Sequence, residues 1–527
     1  MRKALAQRVQ VNVEGTVQGV GFRPFIYRLA NELELTGWVR NTRNGVLIEV
    51  EGDSLAIETF LQRLRTDAPT AASLESMRTS VIPVLHDTSF SIDPSAESGE
   101  RTLVIPPDLA TCADCLRELM DRRDRRFRYP FLTCTQCGPR YSLLTAIPYE
   151  RSNTTMTGFE ICYACRTEYE TGSDRRFHAE PIACPTCGPR LCLWDEQGRE
   201  VASGEDVLRQ AHVMLDQGLI VAVKGLGGFQ LWVDAASEEA VRCLRDCKRR
   251  PEKPFAILFP SIDAVKDYCL VSSEEEALLC SPQAPIVLAR KRREASLADA
   301  VAPGNPYLGV MLPATPLHSL LMASLRRPMV ATSGNRSEEP IVTDEREALV
   351  RLNGIADAFL VHDRPIARPV DDSVVLVVAG RPENHDKGAV SKSKPEVMMV
   401  RRARGYAPQA IRWTGDATDG MAQGPILAVG GHLKNTVALL TGNRVVLSQH
   451  LGDLSTIRSG QGFPAGSRGS PTAARCYTTG HCLRPPPGLS LDQFRARAGC
   501  DAVCSVDSRA ASPCSCGFLH GRTQTRR

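Results

Sequence analysis

Eight cysteines between Cys112 and Cys187 fall into four Cys-x-x-Cys knuckles, and their spacing is the strongest chemical signal in the chain. Cys112, Cys115, Cys134 and Cys137 are followed by Cys162, Cys165, Cys184 and Cys187, each displaced by 50 residues. The neighbours repeat too: Arg125-Arg126-Phe127 with Arg175-Arg176-Phe177, and Cys137-Gly138-Pro139-Arg140 with Cys187-Gly188-Pro189-Arg190. Two knuckles supply the four thiolates of a tetrahedral Zn2+, and a shell closed in this way leaves no open position for catalysis. The pattern predicts two structural zinc ions; spacing alone does not fix which knuckles share an ion. Unliganded thiols and an iron–sulfur cluster are the alternatives. A zinc ribbon could also bind nucleic acid, and the basic run at 122–128 is the residue-level argument for it.

Two other groups of residues could bind phosphate. Gln18, Gly19, Val20, Gly21 and Phe22 lead into Arg23. A glycine-rich turn ahead of a helix lets backbone N–H groups converge on an anion, and an arginine adds a planar fork. Asn41 stands at the end of the next strand-like segment. Farther on, Lys224 precedes the turn at 225–228, followed by Lys248, Arg250 and Lys253, then Ser333-Gly334-Asn335, and finally Arg364, Arg368 and Asp371. Basic side chains can neutralise a triphosphate, while hydroxyl and amide groups fix acyl and phosphate oxygens.

Regular elements must hold these groups. Val9, Val11 and Val13 alternate with polar residues as in a half-buried strand, and Phe22, Phe25, Ile26, Leu29, Ala30 and Leu33 recur at helical spacing, with Pro24 suited to a first turn. Segments 38–40 and 46–50 read as a hairpin around Asn44-Gly45. Ile57, Phe60, Leu61 and Leu64 mark a second helix, and Phe90 with Ile92 a last strand, giving a ferredoxin-like βαββαβ order. Apolar strands are expected at 220–223, 255–259, 286–288 and 374–378 among helical stretches, and a polar, lysine-rich linker at 381–395. New strands begin at 426–429, 436–440 and 444–448.

With 527 residues, three or more domains are expected, and 43% hydrophobic with 24% charged residues is ordinary for a soluble protein. A formal net charge of +4 calls for neither nucleic acid nor an anionic membrane. The first residues hold no continuous apolar core and no run of about 18 apolar residues occurs, which predicts no membrane span. Without a secretory leader, the nineteen cysteines favour metal in the cytoplasm over disulfides.

The glycine loop with Arg23, the segment Gly37-Trp38-Val39-Arg40-Asn41 and residues 45–52 closely resemble acylphosphatase. That resemblance implies that Arg23 binds phosphate and Asn41 positions the attacking water. Lys248-x-Arg250 and Ser333-x-Asn335 resemble the YrdC family, which makes carbamoyl-type adenylates from ATP; this implies Lys224, Lys248, Arg250, Lys253, Ser333, Asn335 and Arg368 as nucleotide- and carbamoyl-binding residues, with ATP and Mg2+ as substrate. The order of these units resembles the HypF carbamoyltransferases of NiFe-hydrogenase maturation. So do residues 302–309, 400–408 and 428–435.

The fold class implied is a multidomain α+β and α/β protein. A ferredoxin-like acylphosphatase domain spans 1–95, a duplicated zinc-finger module 100–200, and a YrdC-like α/β domain 201–395. An incomplete actin-like carbamoyltransferase domain begins at 396–458. The activity implied is formation of carbamoyl adenylate from carbamoyl phosphate and ATP, for transfer to the C-terminal cysteine of a HypE-type acceptor. Residues 459–527 depart from the family. They hold nine Arg, three Asp and six Cys with no Lys or Glu, and are expected to be an aberrant, disordered tail. The apolar start at Ile426 then finds no later elements to bury it, so residues 426–458 are expected to be exposed, and transfer to the acceptor to fail. Two rival readings are a threonylcarbamoyl-adenylate synthase of tRNA modification and a zinc-ribbon nucleic-acid-binding protein.

Overall fold

The computed structural model describes residues 6–42, 45–69, 72–93, 105–146, 149–337, 339–378, 395–413, 426–431, 433–441, 444–452 and 502–504. The linker expected at 381–395 lies outside the described residues except for its last position, as do the turn residue Asn44 and nearly all of the tail.

The N-terminal unit is a twisted sheet under two helices. Strand β1 (Gln7–Thr16) leads into helix α1 (Phe22–Glu32), then β2 (Thr36–Asn41), β3 (Gly45–Gly52), α2 (Ser54–Thr66), β4 (Ser73–Ile82) and β5 (Phe90–Ile92), in sheet order β4-β1-β3-β2-β5. Val11, Val13, Ile48 and Val50 alternate inward and meet Phe22, Ile26, Phe60 and Leu64 from the helices. Asp53 caps α2 by accepting from the Leu55 N–H. The βαββαβ order holds, but its last strand is β4. Segment 90–92 is a fifth strand, parallel to β2. Sequence periodicity passes over β4 because this edge strand is mostly exposed and does not alternate.

In the cysteine module, helices α3 (Ala113–Met120) and α4 (Tyr163–Glu170) occupy equivalent places, with Cys112 and Cys162 at their N-cap positions. The module is no appendage. Tyr129, Phe131, Leu132 and Leu143 share one core with Val221, Val223, Trp232, Leu317 and Leu320 of the following unit.

That unit is a twelve-stranded sheet built from β6 (Leu191–Asp195), β7 (Glu200–Ser203), β8 (Val221–Lys224), β9 (Phe229–Asp234), β10 (Ala256–Leu258), β11 (Cys269–Leu270), β12 (Ile286–Lys291), β13 (Tyr307–Met311), β14 (Met329–Ser333), β15 (Ala358–His362), β16 (Val374–Val378) and β17 (Glu396–Arg401). The order is β17-β16-β12-β13-β10-β14-β9-β8-β15-β6-β7, with β11 on β12. One face carries Ala222, Phe229, Leu231 and Val330 under the helix Glu238–Lys248, and the other carries the core shared with the cysteine module. The sheet overruns the predicted limits 201–395 at both ends. Leu191 and Leu193 alternate as a strand, although the cysteine repeat had drawn them into the preceding module.

A third sheet combines β18 (Ala410–Arg412), β19 (Ile426–Ala428), β20 (Ala438–Thr441) and β21 (Arg444–Leu447) with a short strand β22 (Ala502–Cys504). The expected exposure of the segment from Ile426 is corrected here for its described residues: Leu427, Val437 and Leu439 are buried. Strand pairing with β18 covers part of this surface, and side-chain bonds tie the sheet to the rest of the chain. Gln449 accepts from the Tyr141 hydroxyl at 2.7 Å, and Gln409 donates to Thr16 at 3.0 Å. The strand β22 likewise departs from the disorder expected after residue 458; it runs parallel to β19 and gives that edge's backbone groups their partners. Among the described residues, no helix is long and apolar enough to cross a membrane.

Candidate functional site

The eight knuckle cysteines gather as two groups, Cys112, Cys115, Cys134 and Cys137, and Cys162, Cys165, Cys184 and Cys187, each with ligand atoms within 4.8 Å of one another. Each repeat therefore closes on itself. Sulfur–sulfur separations run from 3.5 to 3.7 Å in the first group and are 3.7 Å in the second. Zinc–sulfur bonds of about 2.3 Å in a tetrahedron require edges of about 3.8 Å, so the residues fit zinc. These spacings are far too long for disulfides.

The two repeats also clasp each other. Glu118 of α3 pairs with Arg175 at 2.8 Å and with Arg176, while Glu168 of α4 pairs with Arg125 at 2.7 Å and Arg126 at 2.5 Å. The same arginines reach across to the thiolates: Arg175 donates to Cys115 at 3.0 Å, and Arg125 and Arg126 to Cys165 at 3.3 and 3.4 Å. The basic run at 122–128 thus spends Arg125 and Arg126 inside the module, neutralising thiolates and carboxylates.

At the N-terminal site, Gly19 and Gly21 adopt φ of 67° and 76°, which is left-handed backbone open to glycine. Gly21 caps α1 without a side-chain acceptor, leaving the helix's first N–H groups for an anion. Val20 and Phe22 are buried and anchor the turn. Gln18 donates to the Thr42 and Gly45 carbonyls at 2.6 and 2.8 Å, tying the loop to the hairpin that carries Asn41. The Asn41 Oδ1 is buried without a hydrogen-bond partner. Burial holds Arg23 below the usual guanidinium range, offset by Glu180, Tyr169 and Glu150. These last residues belong to the cysteine module, whose Phe177 ring lies 5.7 Å from Tyr27, one turn beyond Arg23. Burial and Arg23 together pull His178 down to about 4. The loop's other wall is Arg140, which donates to the Gly19 carbonyl, to Gly138 at 3.0 Å and to Thr135 at 2.7 Å. Glu180, Tyr169 and Arg140 gave no sequence signal of this role beyond the repetition around Arg140.

At the end of the helix Glu238–Lys248, the ammonium of Lys248 donates to the Ser333 and Asn335 carbonyls at 2.6 Å each and to Asn335 Oδ1 at 2.7 Å. Ser333 Oγ donates to the same Oδ1 at 2.8 Å, and Arg250 donates to Thr332 Oγ1 at 3.3 Å. Burial, with Arg250 and Lys253 nearby, brings Lys248 down to about 7; burial and neighbouring arginines bring Arg250 to about 10. Asp371, facing Lys253, accepts from His450 at 2.9 Å, so the third sheet reaches this cluster. Lys248, Arg250, Lys253, Ser333 and Asn335 therefore come together. The other two predicted residues have partners of their own. Lys224 turns to Glu345 and the His362 carbonyl at 2.6 and 2.9 Å, and Arg368 donates to the Leu144 carbonyl at 2.9 Å beside Tyr141.

Four family models match the chain: acylphosphatase over residues 9–92, the HypF finger over 111–144 and 161–194, a model described as telomere recombination over 213–388, and the HypF Kae1-like domain over 421–469. The chain is 48% identical over 459 residues to the carbamoyltransferase HypF of Synechocystis sp., covering 87% of this chain and 57% of that protein. It is 47% identical over 465 residues to carbamoyltransferase HypF2 of Cupriavidus necator, covering 85% and 55%. A crystal structure of full-length HypF in the phosphate- and nucleotide-bound form superposes with a TM-score of 0.79 at 42% identity, covering 87% of this chain and 57% of that one. The chain spans a little over half the length of these relatives.

Proposed function

The chain belongs to the HypF family, and from that premise we propose that it converts carbamoyl phosphate and ATP into carbamoyl adenylate by two half-reactions at two sites. In the first, water cleaves the acyl phosphate of carbamoyl phosphate to carbamate and inorganic phosphate. Arg23 and the N–H groups of the loop 18–22 hold the phosphate oxygens, and Asn41 Oδ1 accepts a hydrogen bond from the attacking water and orients it. An acyl phosphate is already activated, so orientation and charge stabilisation suffice.

In the second, a carbamate oxygen attacks the α-phosphorus of ATP, the α–β anhydride breaks, and pyrophosphate leaves. Lys248, Arg250 and Lys253 face the polyphosphate, which arrives with Mg2+, while Ser333 and Asn335 orient the carbamoyl and phosphate oxygens. Zinc in the two four-cysteine clusters supplies folding energy and no reaction step. Transfer to the C-terminal cysteine of a HypE-type acceptor is the family's final step.

The observation that carries this reading is the loop at residues 135–140. It buttresses the glycine turn through Arg140 and shares a core with the sheet whose strand β14 ends in Ser333. Mass spectrometry of the full chain with carbamoyl phosphate and MgATP tests it. Carbamoyl adenylate and pyrophosphate are expected, and ATP that stays intact while phosphate is released rejects the second half-reaction.

A further inference from the structure

The third sheet reaches two neighbouring units with consecutive side chains to which neither half-reaction gives a part. After β21 the chain folds back beside β20. Ser448 N donates to the Val437 carbonyl at 2.8 Å, and Ser448 Oγ accepts from Val437 N at 2.9 Å. Leu451 N donates to the Asn435 carbonyl and Asn435 N to that of Gly452, each at 2.8 Å. These bonds fix the backbone of residues 448–452. From it, Gln449 accepts from the Tyr141 hydroxyl of the cysteine module, and His450 Nδ1 lies 2.9 Å from Asp371 Oδ2 of the larger unit.

Asp371 stands beside the cations of the adenylation cluster. Its backbone is clamped on both sides: Val370 N donates to the Gly227 carbonyl at 2.9 Å, and Arg404 N to the Asp371 carbonyl at 3.0 Å. The next carboxylate, Asp372, accepts from Arg404 at 2.8 Å and from Gln230 at 2.9 Å. With the main chain held, the His450 bond fixes where the Asp371 carboxylate points. Burial pushes that carboxyl up, but the bond from His450 and the charges of Arg401 and Lys253 hold it below the usual carboxylate range. It is therefore an anion, and His450 Nδ1 carries the proton between them. Lys248 faces two like charges, Arg250 and Lys253, and one opposite charge, Asp371. Cations gathered for a polyphosphate repel one another, and a fixed anion among them holds them together and favours the protonated lysine.

We infer that His450 is a positioning residue for adenylation: its bond to Asp371 sets the anion that holds Lys248 and Lys253 toward the polyphosphate, which makes the third sheet a working part of that site. The inference rests on the two-site reading above. His450 itself touches no substrate; it acts through Asp371. Acyl phosphate cleavage at Arg23 and Asn41 uses neither residue, so the two half-reactions respond differently when the bond is lost.

The test compares the full chain with His450→Ala and with His450→Asn, whose amide nitrogen can take the place of Nδ1. In His450→Ala, kcat/KM for ATP in pyrophosphate exchange should fall about ten- to hundredfold, the worth of one hydrogen bond to a charged group. The alkaline limb set by Lys248 should move below about 7, because the neighbouring negative charge no longer favours the ammonium. His450→Asn should restore both. Phosphate release from carbamoyl phosphate and zinc content should be unchanged in either variant. Wild-type ATP kinetics in His450→Ala, an asparagine variant as poor as the alanine one, or parallel loss of phosphate release would overturn the positioning role. Calorimetric binding of α,β-methylene-ATP with Mg2+ separates this role from the reaction. If wild type makes no adenylate yet binds the analogue about tenfold or more tightly than His450→Ala does, the two-site reading fails and the role of His450 stands; equal binding by both overturns it.

Discussion

Replacing Arg140 with methionine isolates the link between the cysteine module and the phosphate loop. The side chain is 2% exposed and donates to three carbonyls, those of Gly19, Thr135 and Gly138. Methionine keeps much of the volume but donates nothing, so three buried acceptors lose a partner at about 1–3 kcal/mol each. Only the Gly19 carbonyl belongs to the loop. Its share, at 1.4 kcal/mol per tenfold, weakens phosphate binding roughly 5- to 150-fold. The assay is inhibition of acyl phosphate hydrolysis by inorganic phosphate, with zinc content measured on the same sample. The inhibition constant should rise within that range while two zinc ions remain bound. An unchanged constant would refute the buttressing role, and loss of zinc together with activity would place Arg140 in the knuckle's folding alone.

Four other outcomes follow from the same geometry. Cys134→Ser and Cys184→Ser should each lower bound zinc from two to one per chain by elemental analysis, because each cluster closes within its own repeat. Glu168→Gln should leave Arg126, whose side chain is 1% exposed, without a carboxylate, destabilising the module by about 3–5 kcal/mol; limited proteolysis within residues 105–200 should accelerate. Lys248 loses its proton as pH rises through about 7, so kcat/KM for ATP should decline above that value, to roughly a tenth of its plateau one unit higher, while acyl phosphate hydrolysis shows no such limb. Mass spectrometry of a HypE-type acceptor incubated with this chain, carbamoyl phosphate and ATP should show no carbamoyl mass shift; a shift would show that the segment described here suffices for transfer.

Much of this site was legible in the sequence where chemistry constrains spacing. A four-thiolate cluster needs paired knuckles, and the 50-residue period between Cys112 and Cys162 shows the duplication. The glycines before Arg23 announced a turn into a helix, and the structure has that turn, with Gly19 and Gly21 in left-handed backbone. What stayed hidden depends on which way a side chain turns. A string of letters does not show that Lys224 is held by Glu345 or that Arg368 lies against Tyr141. The reciprocal pairing of Glu118 and Glu168 with the arginines of the opposite repeat is a contact between copies, which spacing within one copy does not encode. β4 escaped because an exposed edge strand has no burial pattern to read. The segment from Ile426 found cover because later and earlier strands pair with it, an outcome set by tertiary contacts.

The central claim is that carbamoyl phosphate cleavage at Arg23 feeds adenylation at Lys248 within one chain. Exchange of labelled pyrophosphate into ATP tests it most directly, measured with and without carbamoyl phosphate in wild type, Arg23→Ala and Lys248→Ala. Exchange should require carbamoyl phosphate in wild type and vanish in both variants, while Lys248→Ala still releases phosphate at the wild-type rate. Exchange that proceeds without carbamoyl phosphate, or that survives in Lys248→Ala, would contradict the account.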